Sequence, residues 1–352
     1  MLPTSVGRFG TPAGDGNCRR VGIEVFGGDF DPRSYLPPSV ARSALNLSCV
    51  EQPLSPNTPV FLGDGAGVSF EEARVAVLSM PLEATVSYGG GTAGGPAGIL
   101  EASTQVELYD EQLGFEPYRA GIWTDPDPID TAGPIEGSLE RLTRRVGESL
   151  DAGKFVVTLG GEHSLTPAAV AAAAARHDGL VLVQLDAHAD LRESYEGSPH
   201  SHACAVARSL DHVAEVRALG IRSYSVEEAE RIRAGIPGYR ILHGWEMARS
   251  GWAERALEGL AGRPVYLTVD VDYFDPALIP ATGTPEPGGP DWWETISFLT
   301  ELFEMSQVVA CDAVELAPAP GQSHADFTVA RLVHKLIGLH ARSLKLPGTG
   351  AD

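Results

Sequence analysis

From Arg74 onward, short apolar runs rich in β-branched residues alternate with stretches whose apolar positions recur at helical spacing. Val75 to Ser79, Phe155 to Leu159, Leu180 to Leu185, Val265 to Val271 and Val308 to Val314 are the candidate strands. Their nearly continuous apolar character is that of strands buried on both faces of a parallel sheet. Between them, Ala97 to Ser103, Ser138 to Leu150, Leu165 to Arg176, Val226 to Ala234, Trp252 to Leu260, Trp293 to Met305 and Phe327 to Leu344 are predicted helices. The alternation predicts an α/β fold of three layers, α/β/α, with a mostly parallel, doubly wound sheet in the middle. Residues 1–65 are rich in Gly, Pro and Ser and show no sustained periodicity, apart from a short candidate strand at Val21 to Phe26. An irregular extension over 1–65, one domain over 66–346 and a tail over 347–352 are expected.

Composition narrows the partners. The 352 residues include 26 basic and 47 acidic ones, a net charge of −21, and only three lysines, Lys154, Lys335 and Lys345. A chain so short of bases is not built to bind a phosphate backbone or an anionic membrane surface, so nucleic acid and membrane are excluded as partners. The longest apolar run, Ala168 to Ala175, is far below the ~18 residues of a membrane span. Residues 1–16 lack the basic start and apolar stretch of a signal peptide. The four cysteines (Cys18, Cys49, Cys204, Cys311) are scattered without a C-x-x-C pair, which argues against a disulfide framework or a zinc ribbon and for a reducing cytoplasm.

Four predicted strands run directly into polar clusters. They lead to Gly160-Gly161-Glu162-His163-Ser164, to Asp186-Ala187-His188-Ala189-Asp190, to Asp270-Val271-Asp272, and to Glu315. Ligands of open parallel sheets gather at the carboxyl ends of strands. Side chains two apart in extended backbone point the same way, so Asp186, His188 and Asp190 can converge, as can Asp270 and Asp272. Carboxylates packed so closely repel unless cations intervene. Together with His163 they offer four carboxylates and two imidazoles, too many for one tetrahedral ion and suited to two metals. The absence of thiolates favours Mn²⁺, while Ni²⁺, Co²⁺, Fe²⁺ and Zn²⁺ remain compatible with such donors. A single Asp after a strand usually caps a turn; six such residues at predicted strand tips do not fit that reading.

These motifs, with Thr282-Gly283-Thr284-Pro285-Glu286-Pro287-Gly288-Gly289, resemble those of the ureohydrolases, the arginase and agmatinase family of binuclear manganese enzymes. The resemblance spans residues 66–346 and implies an arginase-like fold. It implies that His163, Asp186, Asp190 and Asp270 hold one metal and that Asp186, His188, Asp270 and Asp272 hold the other, with Asp186 and Asp270 bridging. It further implies that a metal-bridging hydroxide attacks a guanidinium carbon, that His202 transfers a proton and that Glu315 binds the guanidinium beside Thr284. A homo-oligomer, trimer or hexamer, is expected on the same ground.

Within that resemblance the loop after Asp190 bears on substrate. Leu191-Arg192-Glu193-Ser194-Tyr195-Glu196-Gly197 and Tyr109-Asp110-Glu111 resemble agmatinase-like members. Arg192 stands where arginases carry an amide side chain that meets the substrate's amino-acid end. The expected partner is a small cationic guanidino compound, agmatine foremost, cleaved to urea and putrescine. Guanidinobutyrate, which Arg192 would suit as a carboxylate partner, arginine and guanidine are the alternatives within the family. A zinc deacetylase of related fold and a noncatalytic metal-stabilised subunit are the alternatives outside the specific activity. The G-x-G-x-x-G match at Gly89 to Gly94 lies about ten residues beyond its strand, too far for a dinucleotide fingerprint. His177, His200 and His212 are expected in solvent, Cys204 as a small buried side chain and Asp275 as a turn former. His243 and His324 are expected either structurally or at the pocket.

Overall fold

The computed structural model describes residues 59–345. The expected strand at Val21 to Phe26, most of the expected extension and the tail lie outside these residues. Eight parallel strands form one sheet: β1 (Val75–Met80), β2 (Ile122–Thr124), β3 (Phe155–Gly160), β4 (Val181–Leu185), β5 (Glu215–Ile221), β6 (Tyr239–His243), β7 (Pro264–Asp270) and β8 (Gln307–Val314). Their order across the sheet is β2-β1-β3-β8-β7-β4-β5-β6. All five expected strands are present. The three unanticipated ones depart from the apolar-run pattern for physical reasons. β2 has three residues and lies at one edge, and β6 lies at the other, where no residue is fully buried. β5 carries Arg217, buried but bonded to the carbonyls of Ala256 and Glu258, so a charged residue sits where an apolar one was the expected sign.

The helices are α1 (Gly95–Ser103), α2 (Ile135–Asp151), α3 (Thr166–Ala174), α4 (Ala205–Ser209), α5 (Val226–Ala234), α6 (Gly244–Met247), α7 (Trp252–Leu257), α8 (Trp292–Met305) and α9 (Ser323–Ser343). Short α4 and α6 escape a periodicity reading because neither completes two turns. Helix starts follow local chemistry: Ser225 with Glu228, and Asp291 with Glu294, form capping boxes at α5 and α8. Alternate strand residues serve opposite layers, as a period of two requires. Val75, Val77, Phe155 and Val157 pack with α1, α8 and α9, whereas Leu78, Met80 and Val156 pack with α2 and α3. Packed structure begins before residue 66: Phe61 is fully buried, and the N–H groups of Phe61 and Leu62 donate to Thr124 and Ser103. Among the described residues no helix is long and apolar enough to cross a membrane.

Candidate metal centre and active site

The four strands that carry the predicted chemistry, β3, β8, β7 and β4, are neighbours at the centre of the sheet, although they are far apart in the chain. Their carboxyl ends therefore open on one cleft of about 270 Å³, lined by His163, His188, Asp190, His202, Asp270, Asp272, Thr284 and Glu315, among others. Two acidic residues are aimed into it by left-handed backbone, Asp190 at φ 52° and Glu315 at φ 66°. Such conformations cost on the order of 1–3 kcal/mol and persist where the surroundings impose them. Gly161 permits the crossing of β3 into the cleft, since a Cβ there would overlap the Leu82 carbonyl. The Gly161 carbonyl in turn accepts the Glu315 N–H at 2.8 Å.

Asp186 sits between the two histidines. Its Oδ2 lies 3.2 Å from His163 Nδ1 and its Oδ1 lies 3.7 Å from His188 Nδ1. Oxygens of Asp190 and Asp270 are 3.0 and 3.4 Å from His163 Nδ1, and an Asp272 oxygen is 2.9 Å from His188 Nδ1. Two groups have donors close enough together for one ion each: His163 with Asp186 and Asp270, and Asp186 with His188 and Asp272. Asp186 belongs to both. Local hydrogen bonds hold the carboxylates in place, from His188 N–H to Asp186, Asp272 N–H to Asp270 and Ala187 N–H to Asp272.

A hydroxyl network decides how His163 faces the cleft. Buried Asp312 accepts the hydroxyls of Tyr266 (2.8 Å), Thr166 (3.0 Å) and Thr268 (2.6 Å). Thr268 has thereby given its proton away and, at 2.9 Å, accepts one from His163 Nε2. In the neutral ring Nδ1 is then the lone-pair nitrogen, buried against three carboxylates; burial opposes a charge there, yet Asp186, Asp190 and Asp270 drive His163 well above its ordinary value. That donor set fits a positive charge, a divalent cation above all. The protonation behaviour of the cluster says the same. Burial, with Asp190 and Asp272 close by, pushes Asp186 up to about 7, and burial with Asp272 and Asp186 pushes Asp270 well above the carboxylate range. Burial opposes a charge on His188, but Asp272 and its neighbours drive it up to about 11. A cluster that gathers protons so strongly is short of positive charge.

Glu315 is buried, receives the His163 N–H at 2.6 Å and is pushed up to about 8 by burial and nearby acids. His202 opens a short 3-10 turn capped by Ser201 and reaches the cleft beside Ser87 and Tyr195. Thr284 lines the cleft, in a segment joined to the residue after Glu315 by the Thr282–Leu316 bridge. Arg192 also lines it, with its guanidinium 4.7 Å from the Tyr195 ring centre and 3.8 Å from Glu228. All ten predicted site residues except Asp186 border the cleft itself, and Asp186 lies beneath it, fully buried.

The remaining expectations resolve individually. Asp275 takes the N–H groups of Ala277 and Gly288 and orders its turn, and Cys204 is buried. His324 is exposed at the start of α9, whereas His243 stands behind the cleft, bonded to Tyr224 and Glu246. His212 is exposed, but His177 and His200 are half-buried. Amides of the Gly89 to Gly94 loop are occupied by Glu83, which accepts from Gly91 and Ala93 at 2.9 Å each. Gly89 is needed there because a Cβ would meet the Gly283 backbone. Residues not anticipated are Asp312, Thr268, Thr85 and Gln184, whose amide donates to Asp186 at 2.8 Å. The signal available for the first was an acid inside an otherwise apolar strand, and for Thr268 a polar residue two before Asp270 on the same face.

A model of the arginase family matches residues 73–338. The N(1)-aminopropylagmatine ureohydrolase of Synechocystis sp. is 39% identical over 291 residues, which cover 80% of this chain and 94% of that protein. The agmatinase of Bacillus cereus is 36% identical over 266 residues, covering 74% and 88%. Among solved structures, the agmatine ureohydrolase of Thermoplasma volcanium superposes with a TM-score of 0.71 at 30% identity, covering 80% of this chain and 94% of that one. With two candidate metal groups at the tips of neighbouring strands, these similarities show that the chain belongs to the arginase family.

Proposed function

We propose that the protein hydrolyses a linear, cationic guanidine compound to urea and an amine, with agmatine or N(1)-aminopropylagmatine as substrate. The observation that carries this reading is Glu315: a buried carboxylate without a lysine or arginine partner among the described residues, facing a cleft beside two candidate metal groups. A planar guanidinium pairs with a carboxylate through two parallel N–H donors, which orients its carbon as well as neutralising the charge. The relatives named for agmatine and aminopropylagmatine support the substrate class.

His163, Asp186, Asp190 and Asp270 would hold one metal, and Asp186, His188, Asp270 and Asp272 the other. The carboxylate-rich donor set favours Mn²⁺. Two divalent ions bound there supply Lewis acidity that makes a water nucleophilic near neutral pH. The chain's own side chains do the rest. Glu315 and Thr284 seat the guanidinium, and Asp190, aimed by its left-handed backbone, closes the ligand set. His202 passes a proton to the nitrogen of the departing amine as its bond to the guanidinium carbon breaks. Arg192, drawn toward Glu228, forms a wall of the pocket rather than a free anion receptor, which favours a substrate whose far end carries no carboxylate. A cytoplasmic homo-oligomer is part of the same reading.

Urea release from agmatine, N(1)-aminopropylagmatine, guanidinobutyrate, arginine and guanidine under Mn²⁺ and under Ni²⁺ tests it. Highest kcat/KM with either of the first two compounds is expected. Preference for arginine or guanidinobutyrate would overturn the substrate assignment, and one tightly held zinc with amide hydrolysis would overturn the reaction class.

A further inference from the structure

Glu162 is fully buried one residue before a candidate metal ligand, yet none of the roles above uses it. Its Oε2 accepts the N–H groups of Ala84 and Thr85, both at 2.7 Å. Its Oε1 accepts the hydroxyls of Ser164 at 2.5 Å and of Thr85 at 2.9 Å. A threonine hydroxyl has one proton to donate and two lone pairs. With the proton committed to Glu162, both lone pairs of Thr85 are available, and both face His202. The His202 backbone N–H reaches Thr85 Oγ1 at 3.0 Å, and ring nitrogen Nδ1 lies 3.2 Å from the same atom. Two acceptors cannot bond to each other, so Nδ1 carries a proton. The neutral ring then presents the lone pair of Nε2 to the cleft, where Ser87 Oγ is 3.5 Å away.

We infer that Glu162 and Thr85 are positioning residues that fix the tautomer and direction of His202, committing its proton exchange to Nε2. Glu162, accepting four hydrogen bonds, keeps the Thr85 hydroxyl turned toward itself, so that Thr85 remains an acceptor for Nδ1–H in both the neutral and the protonated ring. One short segment thus serves three tasks: Glu162 orients His202, the His163 side chain joins the metal group, and the His163 N–H holds Glu315. The sequence Gly-Gly-Glu-His-Ser therefore couples the proton-transfer side of the cleft to the metal side through adjacent residues.

The inference rests on His202 being the proton-exchanging group of the proposed hydrolase, and its test separates the two. Carbethoxylation of His202 by diethyl pyrocarbonate, followed by mass spectrometry across pH in the Mn²⁺-loaded protein, reads the reactivity of the free ring nitrogen without any substrate. Thr85→Val should move the pH midpoint of modification downward by about one unit, the scale of one hydrogen bond to a charged group. Thr85→Ser should restore the wild-type midpoint. With agmatine, Thr85→Val should lower kcat about tenfold with KM changed less than about twofold, part of what general acid–base transfer contributes. Metal content and melting temperature check the fold, and Thr85→Ala replaces Thr85→Val if the latter does not fold. A midpoint and kcat unchanged in the folded variant, or a loss that Thr85→Ser fails to rescue, would overturn the relay. Absence of urea release by the wild type would sink the proposed activity while leaving the modification result to judge the relay.

Discussion

Two of the molecule's sets of buried carboxylates are treated in opposite ways. Asp110, in the loop before β2, is fully buried but meets Lys335 Nζ at 2.6 Å, with Arg331 at 3.4 Å, both from α9. Burial works to raise its pKa, and the Lys335 hydrogen bond, the Leu113 N–H and the two cations outweigh it, holding Asp110 below its ordinary value. At the strand tips, Asp186, Asp190, Asp270, Asp272 and Glu315 have no lysine or arginine partner among the described residues. Burial and neighbouring acids drive Asp186, Asp270 and Glu315 upward instead, and Asp272, met by His188 at 2.9 Å, is held below its ordinary value against the effect of burial. The residue types are alike; the difference is whether the chain supplies the compensating charge. Where it does, the pair ties a loop to a helix. Where it does not, the cluster is left open to a cation from outside, as the proposed metals and guanidinium would supply.

Removing a shared ligand should break the comparison most severely. Asp186→Ala or Asp270→Ala is expected to abolish binding of both metals and to lower activity on the order of 10³-fold or more, since metal catalysis supplies several kcal/mol. Elemental analysis beside urea release checks this, and near-native metal content in either variant would refute the shared-ligand assignment. At the other cluster, Lys335→Ala takes the nearer of two cations from buried Asp110 and should cost up to about 3–5 kcal/mol of stability while folded molecules keep their metal. Denaturant titration with metal analysis would show the opposite pattern if Lys335 acted through the active site.

Glu315→Ala lies between these extremes. It should spare the metals but cost about 1.5–3 kcal/mol in guanidinium recognition, roughly a 10- to 100-fold loss in kcat/KM. Wild-type kcat/KM would remove Glu315 from substrate binding. Acidity should then separate the clusters without mutation. The raised groups at the strand tips hold protons that metal must displace, so metal affinity should fall as pH drops through the region near 7 where Asp186 titrates, by about tenfold per unit for each proton displaced. Asp110 has the opposite sign: its contribution is present above the unfolded carboxylate value of about 3.9 and is lost only as pH falls through its lower folded value. Metal competition and thermal unfolding followed over the same pH series check both. Smallest of all, Arg240→Ala removes an exposed arm from Glu215, which Arg263 and Arg217 also hold, and should change stability by less than about 1 kcal/mol. A larger loss would show that this surface network, too, compensates a charge that matters.

How much was legible beforehand depended on whether the information was local. Five strands were readable because residues buried on both faces must be apolar. β5 was hidden by Arg217, whose charge is met by Glu215 of the same strand and by carbonyls at the distant end of α7. The candidate ligands were readable as residue types clustered just after strands, but the extended spacing expected to align them gives way after Leu185 and Asp270: Asp190 is aimed by left-handed backbone at φ 52° and Asp272 by a 3-10 turn. Thr85 was not, since nothing in its own neighbourhood announces a bond to His202, 117 residues away.

The sequence by itself determined the α/β class, the apolar strands, and the polar motifs at their carboxyl ends, because each follows from short-range periodicity and side-chain chemistry. Only the tertiary structure decided that β3, β8, β7 and β4 lie side by side in that order. It alone decided that Asp186 stands between two histidines, that Thr268 and Asp312 turn the lone pair of His163 inward, and that Lys335 neutralises Asp110. These are contacts between residues far apart in the chain, fixed by sheet order and packing, which no local pattern encodes.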